Sequence, residues 1–160
     1  KRATAIFSEP GLARRRMRVG LDKLASLPQT DSTRLAAIGY CMGGALSLEA
    51  ARDGAPLKGI VSFHGALQTG MPAQPGKVKA KILVITGADD PFVPTAQVNA
   101  FADEMTKAGA DWQIISYGGV KHSFTNPEAA RVGNPGIEYN KSADERSWKA
   151  MRTFFDEIFA

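Results

Sequence analysis

The segment Gly39–Gly44, which reads Gly-Tyr-Cys-Met-Gly-Gly, constrains the fold of this chain more than any other stretch. The apolar run Leu35–Gly39 before it is typical of a buried parallel strand, and the small and aliphatic residues after it, as far as Arg52, predict a helix. Glycines on both sides of Cys41 permit a very sharp turn between the two elements. The sequence therefore predicts Cys41 at the top of a sheet and at a helix N-terminus, where the helix dipole favours a thiolate.

Two later strand-to-loop transitions carry candidate partners for this cysteine. Lys81–Thr86 has the pattern of a second buried strand, and the loop after it contains Asp89 and Asp90. Trp112–Tyr117 predicts another strand, which leads into a loop with His122. Loops at the carboxyl ends of parallel strands meet at one edge of a sheet, so these groups are predicted to lie together. Their order along the chain, nucleophile, acid and histidine, is that of α/β hydrolases.

Three motifs together resemble the dienelactone hydrolase family, whose members have an α/β-hydrolase fold: Gly39–Gly44, Gly87–Pro94 and His122–Phe124. The resemblance extends from about Leu21 to the C-terminus and includes the start of the last predicted helix. It is specific because each motif follows a predicted strand in the expected order.

The resemblance implies a role for each motif. Cys41 would be the nucleophile, His122 the general base and Asp90 the acid that orients the histidine, with Asp89 as the alternative acid. The implied reaction is hydrolysis of a carboxylic ester or lactone through a thioester acyl-enzyme, with the backbone N–H of Met42 donating to the oxyanion. No cofactor is implied. Two histidines and one cysteine at no metal-ligand spacing also argue against a metal site.

The second oxyanion donor of related hydrolases comes from a loop after an earlier strand, and residues 1–20 contain no counterpart of it. They also lack counterparts of a glutamate that pairs with the resting cysteine and an arginine that helps to hold the substrate. We therefore expect residues 1–160 to form a single domain that corresponds to the C-terminal part of an α/β-hydrolase fold. Its mostly parallel sheet should have about four strands flanked by helices.

The strand that ends at Gly39 would lack one of its two neighbours in such a domain. Residues 35–39 would then expose unpaired backbone and apolar side chains, which favours pairing with another chain or aggregation. The edge could be covered by Ala3–Phe7 folding back as a substitute strand, by a second copy of the chain, or by a separate N-terminal fragment. We expect a homodimer or a complementing fragment.

Periodicity along the rest of the chain predicts the order helix, strand, helix, strand, strand, helix, strand, helix. Gly59–Phe63 is the strand after the elbow helix, and a loop rich in glycine and proline, residues 65–76, is predicted to follow it near the site. Thr95–Ala108 predicts a helix. Ser142 with Glu145 forms a capping-box pattern that predicts the start of the last helix.

Composition restricts the partners and the compartment. A chain of 160 residues that is 44% hydrophobic can bury a core, and its net charge is only +4. The basic run Arg14–Arg18 favours a solvated helix face over a nucleic-acid site. No apolar stretch is long enough to cross a membrane. The single cysteine fits a reducing compartment, so we expect a cytoplasmic protein that binds neither nucleic acid nor membranes.

The substrate is predicted to be a small-molecule ester or lactone. Dienelactone hydrolases proper hold the substrate carboxylate with arginines, one of them four residues after the catalytic histidine, where this chain has Asn126. Asparagine cannot supply a charge-assisted fork, which argues against tight dienelactone binding. A small, largely apolar group would suit the side chains predicted near the site, which are Phe63, Phe92, Phe124 and His64. For the histidine, a purely structural, hydrogen-bonded role is the alternative.

Two other classes of function stay open. A chain without the second oxyanion donor could be a catalytically silent oligomerisation or binding module. Alternatively, the chain could be a thiol-based redox protein that uses Cys41. A redox role usually needs a resolving cysteine, and the sequence contains a single cysteine.

Overall fold

A computed structural model of the chain describes residues 6–9 and 11–160. The elements follow one another in the order α1 (Leu12–Ala25), β1 (Ala36–Tyr40), α2 (Met42–Arg52), β2 (Gly59–Phe63), β3 (Lys81–Gly87), α3 (Thr95–Ala108), β4 (Trp112–Tyr117), a 3₁₀ helix (Ala129–Val132) and α4 (Lys141–Ile158). The predicted order of helices and strands is confirmed. The bounds of β2, α3 and β4 match those predicted from the sequence.

The four strands form one sheet in the order β1-β2-β3-β4, and every neighbouring pair is parallel. Strand β2 is buried at every residue and β3 at all but its first. Continuous apolar runs of this kind are expected where helices cover both faces of a parallel sheet. The predicted fold class, a mostly parallel α/β sheet flanked by helices, is confirmed.

Two apolar clusters lie on the two faces of the sheet. On one face, Ile60 and Ile82 pack with Leu48 of α2 and with Phe101 and Met105 of α3, and α1 adds partly buried side chains. On the other face, the cluster contains strand residues and side chains of α4, namely Val61, Phe63, Leu83, Ile85, Met151 and Phe154. The alternation of side chains along each strand explains why consecutive residues enter different clusters.

Strand β1 lies at the edge of the sheet, with β2 as its one neighbour among the described residues. Its side chains Ile38 and Tyr40 are 45% and 39% exposed. The expected exposed apolar edge is thus present. The substitute strand proposed for residues 3–7 falls partly outside the described residues, and its last two residues are helical rather than extended. The homodimer and the complementing fragment stay predictions.

The last helix begins differently from the prediction. Asn140 is its N-cap, and the Asn140 side-chain oxygen accepts a hydrogen bond from the backbone N–H of Ala143. The capping box of Ser142 and Glu145 is therefore wrong, because Ser142 already lies inside α4. Asparagine is as good an N-cap as serine, so the pattern alone did not distinguish them.

Within the part of the chain that the structure describes, none of the helices combines the length and the apolar character needed to span a bilayer.

Candidate active site

Cys41 occupies a strained turn between β1 and α2. It is the N-cap of α2 with φ 51° and ψ −117°, a region that residues with a side chain rarely adopt. The turn is tight enough that a Cβ on Gly39 would lie 2.1 Å from the carbonyl carbon and oxygen of Gly43. The Cys41 N–H donates to the Phe63 carbonyl at 2.9 Å, which anchors the turn on β2. The predicted elbow is therefore formed, and Cys41 is exposed as a residue.

The loops after β3 and β4 are joined by backbone contacts. The N–H groups of Ala88 and Asp89 donate to the carbonyls of Tyr117 and Val120, at 2.8 and 3.0 Å. A Cβ on Gly87 would lie 2.1 Å from the Val120 carbonyl oxygen, so the close approach of the two loops requires glycine there. This contact brings the acid and the histidine within reach of each other.

Three side chains distant in sequence form one hydrogen-bonded chain. His122 Nδ1 donates to Asp90 Oδ2 at 2.8 Å, and His122 Nε2 lies 3.2 Å from Cys41 Sγ. Asp90 is buried, and its Oδ1 accepts from the backbone N–H groups of Phe92 and Val93 at 2.8 and 3.2 Å. The carboxylate is thus fixed by its own loop, and it in turn orients the imidazole.

The same contacts shift the pKa values of the thiol and the imidazole in opposite directions. The hydrogen bond from His122 lowers the pKa of the Cys41 thiol, although partial burial opposes this, and the nearby Met42 N–H lowers it further. Burial alone would lower the pKa of His122, but hydrogen bonds to Asp90 and Cys41 raise it to about 9. These opposite shifts favour the thiolate–imidazolium form of the pair, and the thiolate is the nucleophilic form of cysteine.

The loop that carries His122 is held from its other side. His122 N–H donates to the Gly136 carbonyl, and Glu138 N–H donates to the His122 carbonyl, at 3.1 and 3.0 Å. Asn140, the N-cap of α4, donates its N–H to the Phe124 carbonyl at 3.0 Å. The imidazole is therefore attached to a segment that is fixed at both ends.

A cavity of about 900 Å³ opens next to the sulfur. Its wall is largely apolar, and both Cys41 and His122 contribute to it. Other contributors come from α1 and the segment before it, from α2, from the loops after β2 and β3, and from the segment before α4, and include Phe7, Met42, Met71, Phe92, Val93 and Ile137. An apolar wall beside a nucleophile suits the uncharged part of a small organic substrate.

A buried ionic network fixes one wall of this cavity. Arg52 is 1% exposed and donates to Glu49 and Glu104, and also to the carbonyl of Leu67 at 2.6 Å. Glu104 in turn accepts from the N–H of Ala73 at 2.8 Å. The loop rich in glycine and proline, which was predicted near the site, is therefore tied to α2 and α3. The sequence did not indicate this network, because charged residues in helices usually face solvent.

Of the four side chains predicted to contact substrate, Phe92 lines the cavity and is 46% exposed. Phe63, Phe124 and His64 do not line it; they are 1%, 0% and 3% exposed. This is a correction to the sequence interpretation. Phe63 and Phe124 belong to the cluster on the α4 face of the sheet. The cavity lies toward α1 and α2, so their proximity in sequence to the site residues did not put them in its wall.

Two other predicted positions can be compared with the structure. Arg14 is not on a solvated face: it lines the cavity and its Nε donates to Glu49 at 2.8 Å. Asn126 is exposed, and its side-chain oxygen accepts a hydrogen bond from the Glu128 N–H. It does not line the cavity.

Among the described residues, no group of three or more histidine, cysteine, aspartate or glutamate side chains is placed to hold a metal ion.

Comparison with known proteins gives relatives over nearly the whole chain. An uncharacterized protein of Caenorhabditis elegans is 38% identical over 94% of this chain and 96% of its own length. A Saccharolobus solfataricus protein, named provisionally as a carboxymethylenebutenolidase, is 28% identical over 78% of this chain and 45% of its own length. The solved structure of a dienelactone hydrolase-like promiscuous phosphotriesterase from metagenomic libraries superposes with a TM-score of 0.91 and 42% identity.

That superposition covers 97% of this chain but 65% of the phosphotriesterase chain, so the chain spans less than two thirds of its length. The sequence profile of the dienelactone hydrolase family matches residues 5–159. The fold, the matched profile and the relatives agree, and the chain belongs to the dienelactone hydrolase family.

Proposed function

We propose that this chain hydrolyses carboxylic esters or lactones with Cys41 as nucleophile, His122 as general base and Asp90 as the orienting acid. The observation that carries the proposal is the unbroken chain of hydrogen bonds from Asp90 through His122 to the Cys41 sulfur, at 2.8 and 3.2 Å. The sulfur also faces an apolar cavity, where a substrate carbonyl can approach it.

In the first half-reaction, the Cys41 thiolate attacks the carbonyl carbon and forms a tetrahedral oxyanion. The Met42 N–H, at the N-terminus of α2, is the proposed donor to that oxyanion. The oxyanion collapses and expels the alcohol, which takes the proton held on His122 Nε2. The product of this step is a thioester between Cys41 and the acyl group.

The second half-reaction needs a neutral imidazole. Once Cys41 is acylated, its sulfur no longer accepts a hydrogen bond from His122 or offers a negative charge, and both of these raise the pKa of His122 in the free protein. The pKa of the imidazole should therefore fall after acylation. Neutral His122 can then take a proton from water as the water oxygen attacks the thioester carbonyl, while Asp90 holds Nδ1 protonated and orients the ring. The C–S bond breaks, the carboxylic acid leaves, and the Cys41 thiolate and the His122 imidazolium are restored.

The substrate is proposed to be an uncharged ester or lactone with an apolar acyl or alcohol group. Phe92, Val93 and Met71 form apolar parts of the wall. Arg14 contributes a guanidinium to the cavity wall. Its Nε donates to the Glu49 carboxylate at 2.8 Å, and this ion pair neutralises its charge. A substrate carboxylate would therefore compete with Glu49, which supports the inference drawn from Asn126 that tight dienelactone binding is absent.

Hydrolysis of p-nitrophenyl acetate tests which carboxylate serves the reaction. Asp90→Asn should lower kcat by about 10³- to 10⁴-fold, because an amide at this position does not hold His122 in the required tautomer. Asp89→Asn is the matched control: Asp89 is exposed, and its backbone N–H, which the substitution leaves in place, donates to the Val120 carbonyl. It should stay close to wild type. Equal losses in the two variants, or a loss confined to Asp89→Asn, would contradict the assignment.

The pH dependence of thiol alkylation tests the Cys41–His122 pair. Because the pKa of Cys41 is lowered, the rate with iodoacetamide should fall only when the pH drops through that lowered value. A second change is expected near pH 9, where His122 loses its proton. In His122→Ala, the pKa of the thiol should return toward about 8.5, so the rate at about pH 7 should drop roughly tenfold. Identical pH profiles of alkylation for the wild type and His122→Ala would contradict an interaction between Cys41 and His122.

A second candidate activity is hydrolysis of phosphotriesters. The observation that favours it is 42% identity, over 97% of this chain, to a structure named as a promiscuous phosphotriesterase. The same thiolate could attack phosphorus and expel an aryloxide. Diethyl p-nitrophenyl phosphate, assayed beside the acetate ester, compares the two activities, and a rate that survives Cys41→Ala would exclude this mechanism.

The silent binding module and the redox protein give different results in these assays. A folded wild type that hydrolyses neither ester nor lactone, at a rate no greater than Cys41→Ala, would favour a binding module. Reversible oxidation of Cys41 by peroxide without esterase activity would favour the redox role.

A further inference from the structure

Three non-glycine residues in the described part of the chain have positive φ: Cys41 at 51°, His64 at 41° and Ser123 at 56°. This backbone conformation is unfavourable for residues with a Cβ, and where it persists it is often associated with function. Cys41 carries the reactive sulfur, and Ser123 directly follows His122. His64 is the third, and the reaction described above gives it no part.

The His64 ring packs against the ring of His122. The two ring centroids are 5.0 Å apart with an interplanar angle of 67°, an edge-to-face arrangement. Phe92 contacts the same imidazole at 5.1 Å and 73°, but Phe92 is 46% exposed at the cavity, whereas His64 is 3% exposed. His64 is therefore the interior contact of the His122 ring.

A hydrogen bond joins His64 to the loop that carries His122. His64 Nε2 lies 2.9 Å from Oγ1 of Thr125, and the His64 backbone N–H donates to the Ile85 carbonyl at 2.8 Å. His64 Nδ1 is buried and has no hydrogen-bond partner among the residues that the structure describes. A buried N–H without a partner costs more than an unpaired lone pair, so the proton belongs on Nε2, which donates to Thr125.

His64 is neutral beside an imidazole that can carry charge. Burial, and then the positive charge of His122, lowers the pKa of His64 to about 4. The titratable groups around the two rings are Cys41 and Asp90, which bond His122, and Tyr40, whose ring lies 6.0 Å from that of His64. The contact therefore adds no second cation next to the thiolate–imidazolium pair.

We propose that His64 is a positioning residue, whose ring and hydrogen bond to Thr125 hold the His122 imidazole in the orientation that directs Nε2 at the Cys41 sulfur. His64 acts through His122 and is absent from the cavity lining. The inference rests on the hydrolytic function proposed above. It explains why a histidine occupies a left-handed position at the end of β2, where glycine would be less strained.

Two substitutions, one on each partner, remove the hydrogen bond between His64 and Thr125. His64→Phe keeps an aromatic ring but loses the hydrogen bond, and Thr125→Val removes the acceptor with little change in shape. Each should lower kcat for p-nitrophenyl acetate by about 10- to 100-fold with KM nearly unchanged, because a small displacement of a catalytic group costs that much. Thr125→Ser restores the hydroxyl and should recover most of the rate. The double variant should lose no more than either single variant, since both break one interaction.

The second measurement does not require ester hydrolysis. The pH profile of Cys41 alkylation should move toward that of an ordinary thiol in His64→Phe and Thr125→Val, and should return in Thr125→Ser. Ser147→Ala is the matched control, because it also removes a hydroxyl that makes a hydrogen bond, in this case a buried one in α4 that donates to the Asp144 carbonyl at 2.7 Å. It should lower thermal stability without changing the profile.

The inference is overturned if the His64 and Thr125 variants behave like Ser147→Ala, with reduced stability but wild-type kcat per folded molecule and a wild-type alkylation profile. A wild type without esterase activity would contradict the proposed function but not the role of His64. The pH profiles of Cys41 alkylation would still show whether His64 positions His122.

Discussion

Replacing Cys41 with alanine is expected to lower kcat/KM for p-nitrophenyl acetate by at least about 10³-fold, because the nucleophile of both half-reactions is lost. His122→Ala should cause a loss of the same order, since the thiol would lose the hydrogen bond that lowers its pKa and the second step would lose its base. The measurement is steady-state hydrolysis at about pH 7, corrected for the uncatalysed rate.

The double variant gives the sharper version of this experiment. Residues that act as one unit are strongly non-additive, so Cys41→Ala with His122→Ala should be no slower than either single variant. Losses that multiply would mean that the two residues contribute independently, which is inconsistent with a shared mechanism. Thermal unfolding of all three variants serves as the control for folding.

The second large effect concerns the turn that presents the sulfur. Gly39→Ala should destabilise the fold by about 3 kcal/mol or more, because its Cβ would lie 2.1 Å from the backbone of Gly43, where no flexible side chain can move aside. For a chain of this size, that corresponds to a decrease in Tm of roughly 6–12 °C. Any folded fraction should also lose esterase activity, since the turn must shift. Differential scanning calorimetry measures the first effect.

Gly43→Ala is the matched control for stability. A Cβ at Gly43, in the first turn of α2, would meet nothing within 4 Å, and alanine favours a helix by about 1 kcal/mol over glycine. Its Tm should be equal to or above that of the wild type. If both alanine variants unfolded at the wild-type temperature, the tight turn at Cys41 would be in doubt.

Much of the fold was predictable because its signals are local. The apolar runs of β2 and β3 and the helical period of residues 95–108 depend on residues close in sequence, and they predicted the elements well. The glycine pattern around Cys41 and the order of the later loops also predicted the three residues that the structure brings together. In each case the local pattern of residues determines the local structure.

The contacts that the sequence missed depend on tertiary structure. Arg14 and Arg52 look like ordinary helix-surface residues, and only the packing of α1, α2 and α3 reveals their buried partners. Phe63 was misassigned because the face on which a strand side chain lies depends on register, which proximity to the site does not provide. For His64, the sequence offered a substrate contact or a structural role, whereas its packing against His122 needed the fold.

The most direct test of the proposed mechanism is the intact mass of the protein, rapidly quenched during turnover of p-nitrophenyl acetate. We predict an increase equal to one acetyl group in the wild type, located on Cys41 by peptide mapping and absent in Cys41→Ala. Steady hydrolysis by the wild type without any acylated species, together with retained activity in Cys41→Ala, would contradict covalent catalysis by this cysteine.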